Sequence, residues 1–272
     1  MLNLIKMNLY RLMKSKTYIA ILVFFVFTFL LGWLIINMNV YFQAASGSGS
    51  ITVGMENSDA GALTISGIYC MVSSILIAYA VAIFSIIHCE KERKHGFIKN
   101  LSAGKKDKAR VFLAKIVPAF VVAVAFHIAM FAGTALGLST RGPIPMGDSI
   151  VRIVQFSMIN ILLCTGIAAF SMAAYELFRN VIPVLILVVN TISGAVGKLI
   201  WFGELCLFKF GLHSETSLEK FDITRHFMST RISGLNIANM FDAKPSNIVI
   251  ALVGMTVYLA IGVLIYQKKD VV

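Results

Sequence analysis

Polar side chains inside strongly apolar stretches are the first candidates for chemistry in this 272-residue chain. His127, Asn160 and Asn190 fall near the middle of such stretches, and Lys198 lies toward the end of one of them. A proton-relaying histidine in a membrane needs a carboxylate partner, and the pattern predicts no Asp or Glu at the depth of His127. We therefore expect His127 to hydrogen-bond a neighbouring helix, and we expect both asparagines to join helices in the same way.

Sequence motifs for catalysis, phosphate binding or metal binding are absent from the chain. No GxxxxGK[ST], HExxH or GxSxG segment occurs, and no paired His and Cys spacing indicates a metal site. The carboxylates are predicted to lie almost wholly in loops, so no acid–base pair is expected where water is excluded. The prediction is a protein that is not an enzyme and holds no cofactor or metal of its own.

The elements that must position the polar residues are membrane-spanning helices. Apolar residues make up 58% of the chain, charged residues make up 14%, and the mean hydropathy is +0.84, values that exclude an ordinary soluble domain. A helix needs roughly 20 apolar residues to cross a bilayer. Six stretches meet that length: 18–36, 63–87, 111–138, 150–174, 181–203 and 248–266. The sequence therefore predicts an all-α membrane protein with six transmembrane helices and a single domain over residues 1–272.

Basic residues are distributed unevenly between the two sides of the predicted helices. The segments on the side of the N-terminus hold 15 of the 24 Lys and Arg residues, and the opposite side holds six. Because cytoplasmic loops retain the excess of positive charge, both termini are predicted to be cytoplasmic, and residues 204–245 form the largest extracellular loop. Orientation in the plasma membrane and attraction to anionic lipids explain the net charge of +11 without a nucleic-acid partner.

Cysteine labelling tests this orientation. In a variant without the four native cysteines, a cysteine is introduced at Ser48, in the first predicted extracellular loop, or at Ser102, in the predicted cytoplasmic segment. A membrane-impermeant maleimide added to intact cells is expected to label position 48 and not position 102. Labelling of position 102 alone would overturn the predicted orientation.

The first 16 residues have the pattern of an amphipathic helix. Leu2, Ile5, Leu9, Leu12 and Met13 share one helical stripe, while Asn3, Asn8, Arg11, Lys14 and Ser15 fall on the other side. A helix with this pattern lies in the cytoplasmic membrane interface before the first span turns into the bilayer. The alternative is an irregular basic flank that only sets orientation.

The cytoplasmic segment 88–110 combines high charge with an apolar centre. Between Cys89 and Arg110 it carries eight Lys and Arg residues against three acidic ones. Gly96 is expected to end the cytoplasmic extension of the second helix, after which Phe97, Ile98 and Leu101 form a short amphipathic turn. An apolar anchor within a charged rim is typical of a docking site for a soluble protein.

The same segment resembles the cytoplasmic loop of ABC-2 type permeases, the membrane subunits of ATP-binding-cassette exporters. Its E-x-x-x-G-x-[IL]-K-x-L pattern falls on Glu92, Gly96, Ile98, Lys99 and Leu101. The opening "LIKMNLYRLMKSKTYI", the six-span layout and the "YQKKDV" ending are also similar to that family. The resemblance extends over nearly the whole chain.

The resemblance implies a permease subunit whose cytoplasmic segment docks on an ATPase. The implied docking residues, which include the apolar anchor, are Glu92, Gly96, Phe97, Ile98, Lys99 and Leu101. ATP and Mg²⁺ would be bound by the cytosolic ATPase subunit, and a second permease copy, identical or homologous, would complete the assembly. Short permeases of this kind are similar to exporters of amphipathic or antimicrobial peptides, including lantibiotic-immunity systems. Alternatives are export of a lipid or small hydrophobic drug, a membrane scaffold or sensor, an ion-coupled transporter or channel, and an intramembrane enzyme.

Overall fold

The chain forms a bundle of α-helices. A computed structural model describes residues 2–14, 65–94, 105–139, 149–196, 228–233 and 237–268, with positions 23, 26, 27, 30, 198, 199 and 202. The helices are α1 (Leu2–Lys14), α2 (Ile65–Lys94), α3 (Lys105–Ala114), α4 (Ile116–Ser139), α5 (Ile150–Phe178), α6 (Val181–Ile192), α7 (Met228–Ser233) and α8 (Ile237–Lys268).

The prediction of an all-α protein is confirmed within the described residues, and the length and composition of the helices support its membrane character. Within the described residues, four helical segments are long and apolar enough to cross a membrane: Ser73–Lys94, Lys108–Leu136, Ile150–Phe178 and Ser246–Lys268. The predicted span 18–36 lies almost wholly outside the described residues. α6 is apolar but has 12 residues, fewer than a span requires. The number six therefore stays a prediction.

The third predicted span, 111–138, is interrupted near its N-terminal end. α3 ends at Ala114, Lys115 occupies a turn, and α4 begins at Ile116. Pro118 explains the break, because it has no N–H to donate to the carbonyl of Ala114 and its ring crowds that carbonyl. The Lys115 N–H instead donates to the carbonyl of Phe112 at 3.1 Å. The turn points the Lys115 side chain into the bundle, where it is buried.

Helix α5 lies at the centre of the bundle and packs against α2, α4, α6 and α8. Its C-terminal half is buried and rich in small residues, among them Gly166, Ala168 and Ala173, which allow helices to approach closely. The residues 175–180, between the predicted spans 150–174 and 181–203, are predicted to form a tight turn, but the helix continues to Phe178 and only Arg179 and Asn180 form the turn. Arg179 adopts the left-handed conformation with a φ of 52°, and the Asn180 side chain caps α6 by accepting from the Ile182 N–H.

Part of the segment predicted as an extracellular loop, residues 204–245, packs among the helices. α7 contacts α2, α5, α6 and α8, and both Met228 and Ile232 are buried. The Met228 thioether occupies the space that side chains would fill at Gly166 of α5 and Gly254 of α8. α8 begins at Ile237, well before the start predicted at residue 248. Two glycines that are distant in sequence therefore form the groove that seats α7.

The N-terminal helix packs against α3 and α4. The predicted apolar stripe is partly confirmed, because Ile5 and Leu9 are half-buried, whereas the side chains of Leu2, Leu12 and Met13 lie outside the described residues. Asn8 was predicted on the outward polar face and is instead buried, since α1 rests on protein as well as on the membrane interface predicted for it. Lys6 and Tyr10 are exposed.

Two glycines of α8 are expected to respond differently to alanine. A Cβ at Gly262 would meet the ring of Phe112, which is fully buried and has little room to move. Gly262→Ala is therefore expected to lower the free energy of unfolding by about 1–3 kcal/mol, the usual cost of overpacking. A Cβ at Gly254 would meet only the flexible end of Met228, so Gly254→Ala is expected to change stability by less than about 1 kcal/mol. Detergent-induced unfolding measures both variants, and equal losses would contradict this account.

Candidate functional site

A buried ion cluster joins the helices at the end of the bundle that is predicted to face the cytoplasm. Lys115 is 1% exposed, and its Nζ lies 2.9 Å from Glu92 Oε2 of α2 and 3.4 Å from Glu176 Oε1 of α5. These three residues are called the Lys115 cluster below. The expectation that no acid–base pair is embedded is wrong, because both carboxylates are buried near the ends of long helices rather than exposed in loops.

Aromatic rings complete the surroundings of the lysine. The Nζ of Lys115 lies 5.0 Å from the ring centroid of Tyr266 in α8 and 5.9 Å from that of Phe112 in α3. A cation over an aromatic face is attracted by the ring quadrupole, and this attraction is stronger where water is excluded. The two carboxylates and the two rings therefore offset the cost of burying the ammonium group.

His88 extends the cluster by one helical turn along α2. Its Nε2 lies 3.7 Å from Glu92 Oε1, and its imidazole stacks on the ring of Phe84 at a centroid distance of 5.6 Å. The contact to Glu92 is an ion pair only when the imidazole is protonated. Glu92 thus lies between a lysine and a histidine.

A second group of polar contacts lies at the end of α2, next to the cytoplasmic segment. The Tyr175 hydroxyl of α5 donates to Glu90 Oε2, and Lys94 Nζ lies 3.0 Å from Glu90 Oε1. Arg93 Nη1 donates to the backbone carbonyl of Arg179, the left-handed residue in the turn after α5. Three contacts consequently hold the final turn of α2 to the C-terminal end of α5. They are the Tyr175–Glu90 hydrogen bond, the Arg93 bond to the Arg179 carbonyl, and the Lys115 ammonium group that lies between Glu92 and Glu176.

These contacts bracket the segment predicted to dock on a soluble partner. α2 ends at Lys94, residues 95–104 follow, and α3 begins at Lys105. Glu92 lies just before this segment and Lys115 lies one helix after it, and they are joined directly. The segment therefore begins and ends on elements that one ion cluster holds together.

The structure places one of the predicted docking residues. Glu92 is 6% exposed and contacts Lys115, so its carboxylate holds helices together within the bundle. Gly96, Phe97, Ile98, Lys99 and Leu101 lie outside the described residues. Their docking role, like that of Glu92, stays a prediction.

Sequence reasoning missed Lys115 and Glu176 as members of a site. Lys115 falls inside the predicted span 111–138, and Glu176 falls just after the predicted span 150–174, but neither was predicted to take part in a site. A usable signal was present, because a lysine inside an apolar stretch is costly unless it is paired. Glu92 and Glu176 are among the carboxylates predicted near the same end of the bundle, together with Glu90 and Asp107, so pairing of Lys115 with a carboxylate was open to inference.

The polar residues nearer the middle of the spans form a separate group. His127 Nδ1 lies 2.8 Å from the Tyr69 hydroxyl of α2, which confirms the predicted hydrogen bond to a neighbouring helix. Asn160 Oδ1 accepts from Cys164 Sγ at 3.6 Å, and Asn190 Nδ2 donates to the Ile186 carbonyl. Both asparagine contacts are within a single helix, so the described contacts do not bear out their predicted role between helices. Lys198 is exposed.

Within the residues described, no group of three or more His, Cys, Asp or Glu side chains is arranged to hold a metal ion. The Lys115 cluster is therefore the candidate site, and its chemistry is that of ion pairing between helices. Comparison with known proteins adds no assignment, since no protein-family model matches the chain and no curated protein matches it at a significant level.

Proposed function

We propose that this chain is the membrane-spanning permease subunit of an ATP-binding-cassette exporter, driven by ATP hydrolysis on a separate cytosolic ATPase subunit. The observation that carries the proposal is the Lys115 cluster at the base of the segment 95–104. The resemblance of that segment to the ABC-2 docking loop supplies the class of partner. The proposed cargo is an amphipathic or antimicrobial peptide, moved out of the cell or the membrane.

A docking segment transmits force only if its two ends are fixed to the helices that must move. Glu92, just before the segment, and Lys115, at the far end of the helix that follows it, are joined at 2.9 Å, and Lys115 also contacts Glu176 of the central helix α5. An ion pair with no exposed lysine surface resists displacement because separating the charges would leave each one desolvated and unpaired. Movement of the segment would therefore shift α2, α3 and α5 together, as a rigid lever acting on a two-state bundle.

An ion-coupled transporter is the second candidate, because the Lys115 cluster provides the embedded titratable groups that such a transporter needs. Its position favours the first candidate. The cluster lies at one end of the bundle, beside the final turn of α2, whereas coupling sites of secondary transporters lie near the bilayer midplane. The lysine is also paired with both carboxylates, which favours a structural contact over ion exchange.

Reconstitution separates these candidates. The tagged chain is co-expressed with an ATPase subunit encoded beside it, and the complex is placed in lipid vesicles with a fluorescent cationic amphipathic peptide. We expect the two proteins to purify together, the vesicles to move peptide only with ATP, and the chain alone to hydrolyse no ATP. Peptide movement that follows an imposed proton gradient without ATP would favour the second candidate. A stable complex that moves no peptide, lipid or hydrophobic drug would indicate a scaffold or sensor.

A further inference from the structure

A chain of hydrogen bonds crosses three helices away from the Lys115 cluster. The Tyr69 hydroxyl of α2 lies 2.8 Å from His127 Nδ1 of α4 and 2.7 Å from Ser157 Oγ of α5. The Ser157 hydroxyl in turn lies 2.8 Å from the backbone carbonyl of Ile153. Tyr69 is 1% exposed and His127 is 3% exposed, while Ser157 is half-buried, so protein encloses the Tyr69–His127 end of this series of hydrogen bonds.

The number of protons available on these side chains determines which group donates in each of the three hydrogen bonds. Ser157 has one hydroxyl proton, and it is donated to the Ile153 carbonyl. The Tyr69 hydroxyl must then donate to Ser157 Oγ, so its oxygen is left to accept from His127. His127 Nδ1 therefore carries the proton, and Nε2 is a bare acceptor.

The alternative arrangement, in which every donor and acceptor role is reversed, forms one fewer hydrogen bond. If Ser157 donated to Tyr69, the Tyr69 hydroxyl would donate to His127 Nδ1 and the proton would reside on Nε2. The bond to the Ile153 carbonyl would then be lost. Since an intramolecular hydrogen bond contributes about 1 kcal/mol, the Nδ1–H tautomer is favoured, although it is the less common form of free histidine.

Two atoms close to this chain have no hydrogen-bond partner among the described residues: His127 Nε2 and Asn160 Nδ2. Asn160 is 0% exposed and lies on α5 one turn after Ser157, on the same face. One atom is an acceptor and the other is a donor. Leaving each unsatisfied in a buried site would cost about 1–3 kcal/mol.

We propose that His127 Nε2 and Asn160 Nδ2 flank a binding site for one buried water molecule. The water donates to Nε2 and accepts from the Asn160 amide, so it completes a chain from Ile153 through Ser157, Tyr69 and His127 to Asn160. His127 is 3% exposed and Asn160 is 0% exposed, and buried polar atoms that lack a protein partner are commonly satisfied by a single ordered water. This site is independent of the proposed transport function.

The tautomer is tested by nitrogen NMR on the full chain in lipid nanodiscs with ¹⁵N-labelled histidine. The signals of His127 are identified by their loss in His127→Phe. In the wild type we expect Nδ1 to be protonated and Nε2 to be unprotonated. Ser157→Ala removes the acceptor of the Tyr69 proton, so the tyrosine should donate to Nδ1 and the two nitrogen assignments should exchange.

Ser171→Ala is the matched control, because Ser171 makes the same bond to the carbonyl four residues earlier in α5 but has no described part in this chain. It should leave the His127 tautomer unchanged. If Ser157→Ala does not fold, Tyr69→Phe makes the same prediction, since it deletes the acceptor of the Nδ1 proton. A protonated Nε2 in the wild type, or no exchange of assignments in either variant, would overturn the proton directions.

The water is tested in the same samples. We expect a magnetisation-transfer signal between water protons and His127 Nε2, together with an isotope shift of Nε2 in D₂O, and both should weaken in Asn160→Leu. A signal from lipid or detergent protons at Nε2 instead of water would overturn the identity of the occupant. Absence of any proton partner at Nε2 would overturn the site.

Discussion

Replacing Lys115 with methionine is expected to lower the free energy of unfolding by about 3–5 kcal/mol, the cost of removing one partner from a buried ion pair. Methionine retains much of the length of the lysine and packs well against aromatic rings, so packing around Phe112 and Tyr266 changes little. Glu92 and Glu176 would then face each other without a cation, and both are buried. Detergent-induced unfolding in mixed micelles measures the loss.

Lys94→Met is the matched control, because Lys94 also pairs with a carboxylate of α2 at 3.0 Å but is largely exposed. Exposed pairs contribute about 0–1 kcal/mol, so this variant should unfold almost as the wild type does. A triple variant in which Lys115→Met is combined with Glu92→Gln and Glu176→Gln should recover part of the loss, since it removes the buried negative charges. Equal stability of the two lysine variants would refute a buried pairing at Lys115.

The double variant Phe97→Ser and Leu101→Ser is expected to release the ATPase subunit during co-purification. Both residues are predicted to form the apolar anchor of the docking segment, and removing an interface anchor commonly costs more than about 2 kcal/mol, or roughly thirtyfold in affinity. The bundle should remain folded and inserted, because the anchor is predicted to face the cytosol. Quantitative pull-down of the ATPase with the tagged chain measures the effect.

Charge reversal at Lys105 and Lys106 is the control for the docking prediction. These lysines are predicted to form the charged rim, where salt screens the interaction and the contribution to affinity is small. The rim variants should therefore retain the ATPase at physiological salt. If the Phe97 and Leu101 double variant retains wild-type stoichiometry and supports transport, the segment has no docking role and serves only to set orientation.

The Lys115 and docking variants distinguish two ways to lose transport. Lys115→Met should weaken the bundle while leaving the apolar anchor intact, so the ATPase should still bind to whatever protein remains folded. The anchor variant should leave stability unchanged and abolish binding. If Lys115→Met and the double variant of Phe97 and Leu101 changed stability and ATPase binding equally, the Lys115 cluster and the docking segment would not have separate roles.

The helical class and membrane character could be predicted because both are encoded by local composition and length. The apolar content of stretches such as 150–174 is visible without knowledge of any partner. The break before α4 was also visible locally, because Pro118 lies inside the stretch predicted as one continuous span. Pro183 shows the opposite case, because it lies in the first turn of α6, where proline is compatible with a helix.

The features that could not be predicted from the sequence depend on contacts between residues that are far apart along it. Lys115 meets Glu176 across 61 positions, and nothing in either neighbourhood specifies the other. The seat of Met228 depends on Gly166 and Gly254, whose absent side chains matter only once α5 and α8 lie together. Glu92 was only partly predictable. A local motif identified it as a candidate site residue, but its contact with Lys115 depends on tertiary packing.

The position of α7 also constrains the order in which the chain can assemble during synthesis. One wall of its groove is provided by Gly166, which enters the membrane before α7 is made, and the other by Gly254, which follows it. A nascent chain that has not yet inserted α8 therefore has only half of the groove, and Met228 has no complete seat. Until synthesis passes residue 254, the apolar side of α5 is open to a chaperone, an insertase or a membrane protease.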